Sequence, residues 1–101
     1  MNMKISENAV RSLLSGVTHP AINKSLIDLG IIREISVEDE NVLIIFALPF
    51  PNIPIQIKDQ MIQSILTPLK AEGIEPRIET TVMSQQELNN FLSLEQQNWK
   101  G

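Results

Sequence analysis

Val42-Leu43-Ile44-Ile45-Phe46-Ala47-Leu48 is apolar at every position. A run of that length with no polar alternation reads as a strand that is either buried on both faces or central in its sheet. The polar stretch Glu38-Asp39-Glu40-Asn41 precedes it, and Ile31 to Val37 before that also has strand character. So short a connection makes the two strands an antiparallel hairpin. On the other side Pro49, Pro51 and Pro54 fall within six residues. Proline has no N–H to give a ladder, so the chain leaves the sheet there as a stiff loop.

Beyond the loop, Ile57, Met61, Ile65 and Leu69 recur every fourth residue, with Ile62 and Leu66 beside them. This is one apolar stripe on a long helix, with Pro54 suited to its first turn. Pro68 predicts a kink or an early end near Ser64 to Thr67. Ile78, Thr80 and Val82 alternate with polar residues, which predicts a third, half-buried strand. Ser84 and Glu87 have the spacing of a capping box, flanked by the staple pair Met83 and Leu88, and open a last helix. Toward the N-terminus, Ser6 is an N-cap candidate with Ile5 and Val10 as its staple. Val10, Leu13, Leu14 and Val17 then keep helical spacing. Pro20 turns His19 away from the helical region. A short helical turn is expected over Lys24 to Leu29, closed by Gly30.

The order is helix, hairpin, helix, strand, helix. A long helix between two strands implies a crossover onto the same sheet. The predicted class is α+β, a two-layer α/β sandwich with a three-stranded mixed sheet and helices mainly on one face. At 101 residues the chain is one domain, 1–101, with 84–101 a C-terminal helix able to lead into a linker.

Composition narrows the chemistry. There is no Cys, so this chain supplies neither thiolate ligands nor a thiol nucleophile, and no resident cofactor is expected. The formal net charge of −4 opposes a nucleic-acid role. No apolar run is long enough to span a membrane, and nothing at the start reads as a signal segment, so the expectation is a cytoplasmic protein. The single His, His19, has only Asp28 as a nearby carboxylate in sequence. A Ser25–His19–Asp28 triad can be written, but such a set arises readily by chance, and the chain reads as no enzyme. Glu38, Asp39 and Glu40 read as a solvated hairpin turn, not as a cation site. Neither G-x-x-x-x-G-K-S/T nor G-x-G-x-x-G occurs, so no nucleotide site is expected. Two features stand out for partner binding: Phe50 and Ile53 on the proline-bounded loop, and Phe91, Leu94 and Trp99 near the C-terminus, with Trp99 expected to cap the core.

Val17-Thr18-His19-Pro20-Ala21-Ile22, then Ser25-Leu26-Ile27-Asp28-Leu29-Gly30-Ile31-Ile32, and a hairpin leading into Pro51-Asn52-Ile53-Pro54 together resemble the iron–sulfur assembly accessory domain family. That domain occurs in SufT-like and PaaD-like proteins and at the N-terminus of Mrp/ApbC-type P-loop carrier ATPases. The resemblance covers roughly 10–82 and implies a small α/β domain acting as adaptor or carrier in iron–sulfur protein maturation. Pro20, Asp28, Gly30 and Pro54 keep the family pattern. His19 and Ala21 stand where the family commonly has acidic residues, Ala47 and Pro49 where it has threonines, and Ile53 where it has a Cys. The implied partner surface comprises Asp28, Gly30, Phe50, Asn52, Ile53 and Pro54. Its implied partners are a P-loop carrier ATPase, in cis or in trans, or an iron–sulfur client protein. Other readings are a PaaD-like accessory subunit of a multicomponent oxygenase and a stand-alone interaction module. A small domain with an apolar loop is also able to form a homodimer.

Overall fold

The computed structural model describes residues 5–100. Helix α1 spans Glu7–Leu14, strands β1 and β2 span Ile32–Glu38 and Asn41–Leu48, helix α2 spans Ile55–Ala71, strand β3 spans Arg77–Val82 and helix α3 spans Gln85–Asn98. The class is the α+β one expected. β2 is central: it pairs antiparallel with β1 and parallel with β3. Two residues close the hairpin, and Asp39 takes the positive φ of 56° that so tight a connection requires.

Alternation along β2 sorts the core. Val42, Ile44, Phe46 and Leu48 share one face with Ile32, Ile35 and Val37 of β1. All but Val37, which is half-buried against them, are buried in one cluster with Val10 and Leu14 of α1 and Met61, Ile65 and Leu69 of α2. Leu43 and Ile45, on the opposite face, are only half-buried. The continuous apolarity of β2 therefore marks a central strand with one fully covered face.

The helix termini follow local chemistry. Ser6 Oγ accepts from Ala9 N (3.1 Å) at the start of α1. At α3, Ser84 Oγ accepts from Glu87 N (3.2 Å) and Glu87 Oε1 accepts from Ser84 N (2.9 Å), so the capping box is closed. The same Glu87 carboxylate takes two hydrogen bonds from Arg33 of β1, one of them from Nε at 2.8 Å. A local cap thus also pins α3 to the β1 side of the sheet.

Four expectations are corrected. Residues 26–30 form a turn, not a helix: Leu29 N donates to Ser25 O and Gly30 N to Ile27 O, each at 3.0 Å, and Gly30 at φ 77° ends it. Helix α2 runs past Pro68 to Ala71. Burial of Ile65 and Leu69 on either side holds the turn that proline weakens, and Ser64 and Thr67 hydroxyls bond back to Gln60 O and Gln63 O. Ile57 lies off the buried stripe and is exposed, because a four-residue spacing overshoots the 3.6-residue turn by about 40° a step and so sets Ile57 about 120° round the helix from Leu69. On β3, Ile78 is half-buried but Thr80 and Val82 are exposed, because β3 is an edge strand with a neighbour on one side only.

Candidate functional site

Three chain segments meet at one end of the sheet. β1 begins there, and β2 and β3 end there, with Leu48 paired to Val82. Ala47 N donates to Ile31 O (2.7 Å) and Met83 N to Leu48 O (2.8 Å), which ties the Gly30 corner, the loop after β2 and the exit of β3 together. The structure thus places Asp28 and Gly30 at the same end as Phe50, Asn52, Ile53 and Pro54.

These residues are not equivalent. Pro49 is buried and anchors the loop. Ile53 is half-buried against the core, so it supports the loop from beneath. Phe50 is 42% exposed, and Asn52 and Pro54 are exposed as well. Ile55, the first residue of α2, is 68% exposed, and Val82 is 45% exposed. Sequence reasoning missed Ile55 and Val82. Ile55 directly follows a proline and has no place on the stripe. Val82 shares its strand face with Ile78 and Thr80, the face expected to be covered. The only sequence signal for either is proximity to an element boundary.

The corner is built on backbone bonds. Ser25 Oγ accepts from Asp28 N (3.0 Å), and Leu26 O accepts from both Ile31 N (3.0 Å) and Ile32 N (3.1 Å). The Asp28 side chain faces solvent. Ser25 therefore caps a turn, and His19 makes its own contact elsewhere, so the three residues form no relay. His19 Nδ1 accepts from Ala21 N at 3.0 Å, which places the proton of the neutral ring on Nε2. The imidazole closes a turn around Pro20 as a carboxylate oxygen would in the acidic residue that the resemblance puts there. The C-terminal segment clasps this loop: Asn23 N donates to Asn98 O (2.8 Å), Lys100 N to Ala21 O (3.1 Å) and Lys100 Nζ to His19 O (3.2 Å).

Partial burial, reinforced by the Lys100 charge, holds the His19 pKa below its ordinary 6.5. The folded ring thus resists a proton that the unfolded chain accepts, so stability is full above pH 6.5 and declines as pH falls below it toward the folded value. Since His19 is the only histidine, the decline between pH 7 and 5.5 disappears in His19→Ala, which also loses about 1 kcal/mol at pH 7 with its hydrogen bond. His19→Asp keeps the acceptor and shows no such decline. Urea unfolding midpoints across this pH range check all three.

Trp99 does not cap the core. It is 56% exposed, and its backbone bridges Ile22 while its side chain lines a shallow groove of about 560 Å³ with Leu92, Glu95 and Gln96. Phe91 is the residue of α3 that enters the core. Among the described residues no cluster of three or more His, Asp or Glu side chains is arranged to hold a metal ion, and no helix is long and apolar enough to cross a membrane.

A sequence model of the iron–sulfur cluster assembly protein family matches residues 7–75. The chain belongs to that family. The match spans α1, the clasped loop, the hairpin, the proline-bounded loop and all of α2, and so includes every residue of the sheet-end patch except Val82. Neither a curated protein nor a solved structure matches the chain. Membership places the protein in iron–sulfur cluster assembly, and β3 and α3 lie outside the matched residues.

Proposed function

We propose that this protein is a non-enzymatic adaptor in iron–sulfur cluster assembly whose sheet-end patch docks a protein partner. Phe50 carries the reading. It is a large apolar side chain held in solvent on a loop bounded by prolines, and it has exposed Ile55 and Val82 at the same sheet end. A loop already stiff in its bound shape loses little entropy on association. The partner we favour is an Mrp/ApbC-type P-loop ATPase, in trans or continuous with this chain, with an iron–sulfur client protein as the other occupant. The lack of Cys supports an adaptor role. The cluster is cargo whose thiolate ligands come from the partner, because this chain has none to offer.

The test is calorimetric titration of the host's own Mrp/ApbC-type ATPase with the wild-type chain and with the Phe50→Asp, Ile55→Asp double variant. Ile53 is left intact because it packs on the core. Loss of two apolar anchors weakens binding by at least about tenfold. A Leu92→Asp control on α3 leaves it unchanged. Equal affinities for wild type and double variant would remove the patch from the interface.

A further inference from the structure

The outer edge of β3 is open, and its sequence is complementary to itself. The two edges of the sheet differ. β1 is interrupted by a register shift between Ile32 and Glu34, the kind of irregularity that blunts an edge against further pairing. β3 has no bulge, no internal proline and no lysine. Nothing covers it. On the face shared with α2, Thr80 and Val82 are exposed, and on the other face Arg77 and Glu79 form an ion pair with each other (Arg77 Nη2 to Glu79 Oε2, 3.2 Å) while remaining 79% and 49% exposed, so the pair is open to a second set of charges. α3 leaves the end of β3 and is fastened on the far side of the sheet, at Arg33 and at Ala21 to Asn23.

The phase of the edge follows from one bond. Met83 N donates to Leu48 O. In a regular parallel pair this turns the backbone groups of Arg77, Glu79 and Thr81 toward β2 and those of Pro76, Ile78 and Thr80 outward. Pro76 lacks an N–H, so its outward position leaves no ladder bond to β2 unmade.

We propose that β3 pairs antiparallel with β3 of a second copy of this chain, about a two-fold axis normal to the sheet through Ile78. Ile78 then exchanges both of its backbone bonds with its counterpart. Thr80 N donates to the opposite Pro76 O in each direction. Arg77 lies directly across from Glu79, twice by symmetry, in the closer non-hydrogen-bonded positions. The alternative register centred on Glu79 sets two carboxylates against each other. The one centred on Thr80 pairs neither charge. A strand pair this short buries less than the ~1,200 Å² of a standard stable interface, so the dimer depends on concentration. Its six-stranded sheet puts the two Phe50 patches at opposite ends, and each stays free for its own partner.

Sedimentation equilibrium of the full chain over a wide concentration range tests this, with circular dichroism confirming that each variant folds. The wild type shifts from monomer toward twice the monomer mass. Arg77→Glu and Glu79→Arg, each alone, raise the dimer dissociation constant by at least about tenfold, since either change makes both symmetric pairs like-charged. An equimolar mixture of the two single variants, or the chain carrying both changes, regains the dimer. A wild type that stays monomeric throughout, or a dimer indifferent to the charge swaps, overturns the proposal.

Discussion

Phe46→Ala lowers the unfolding free energy by about 3–5 kcal/mol, as large-to-small changes at packed aromatic sites do. Phe46 is fully buried in the central strand, opposite Ile32 on β1 and Thr80 on β3. It belongs to one buried cluster with Met61, Ile65 and Leu69 of α2, so its truncation leaves a void in the core that the sheet and the helix share. Small domains have a total stability of about 5–15 kcal/mol, so one truncation removes a large part of it. In a domain near 100 residues each kcal/mol moves the midpoint by about 4–8 °C, which predicts a fall of roughly 12 °C or more in a thermal melt followed by circular dichroism. Phe46→Leu keeps most of the volume and costs about 1.5 kcal/mol or less. A Phe46→Ala melt within a few degrees of wild type would mean that the layers collapse onto the void.

Glu87→Ala destabilises the protein by about 1–2 kcal/mol, the sum of a lost cap contribution and an exposed ion pair. One carboxylate closes the α3 capping box and receives the Arg33 guanidinium from β1. The Arg33 hydrogen bonds, with help from Ser84 N, lower the Glu87 pKa from 4.5 to about 2. A depressed carboxylate stabilises the fold above its unfolded value, so this contribution is complete above pH 4.5 and is lost as pH falls from 4.5 toward about 2. Arg33→Ala removes the ion pair and leaves the cap, so it costs less than Glu87→Ala. Urea midpoints at pH 7 and pH 3 separate the two. If Arg33→Ala and Glu87→Ala cost the same, the cap contributes nothing measurable.

Much of the architecture was legible in the chain because its signals are local. The Ser6 and Ser84 caps depend on residues within three positions of themselves, and both formed as their spacing predicts. The all-apolar run of β2 and the polar turn Glu38 to Asn41 before it placed the central strand, although pairing of Glu38 with Asn41 narrows that turn to two residues. The misreadings fall where a distant neighbour decides. Lys24 to Leu29 has helix-compatible residues, but Leu26 O is taken by Ile31 N and Ile32 N, which folds the chain into a turn. Pro68 argues locally for a break, and packing at Ile65 and Leu69 overrides it.

The candidate site divides the same way. The prolines, Phe50 and the Ser25 to Ile32 string mark the loop and the corner by residue type alone, and the family match covers both. Their meeting at one sheet end required the pairing of Ala47 with Ile31 and of Leu48 with Val82. No spacing rule links Asp28 to Phe50.

Residue type and spacing decide which segments become strands, where helices start, and that this chain brings no thiolate to a cluster. Those are properties of covalent geometry, capping and composition, which act over a few residues. Exposure is a different quantity. Val82 and Trp99 stand in solvent while Ile44 and Phe91 do not, although all four are apolar. The open β3 edge, the split between Phe50 outward and Ile53 inward, and the clasp of Lys100 on His19 arise only when distant segments compete for the same surface. Burial depends on what the rest of the chain covers, and that is settled by the tertiary fold.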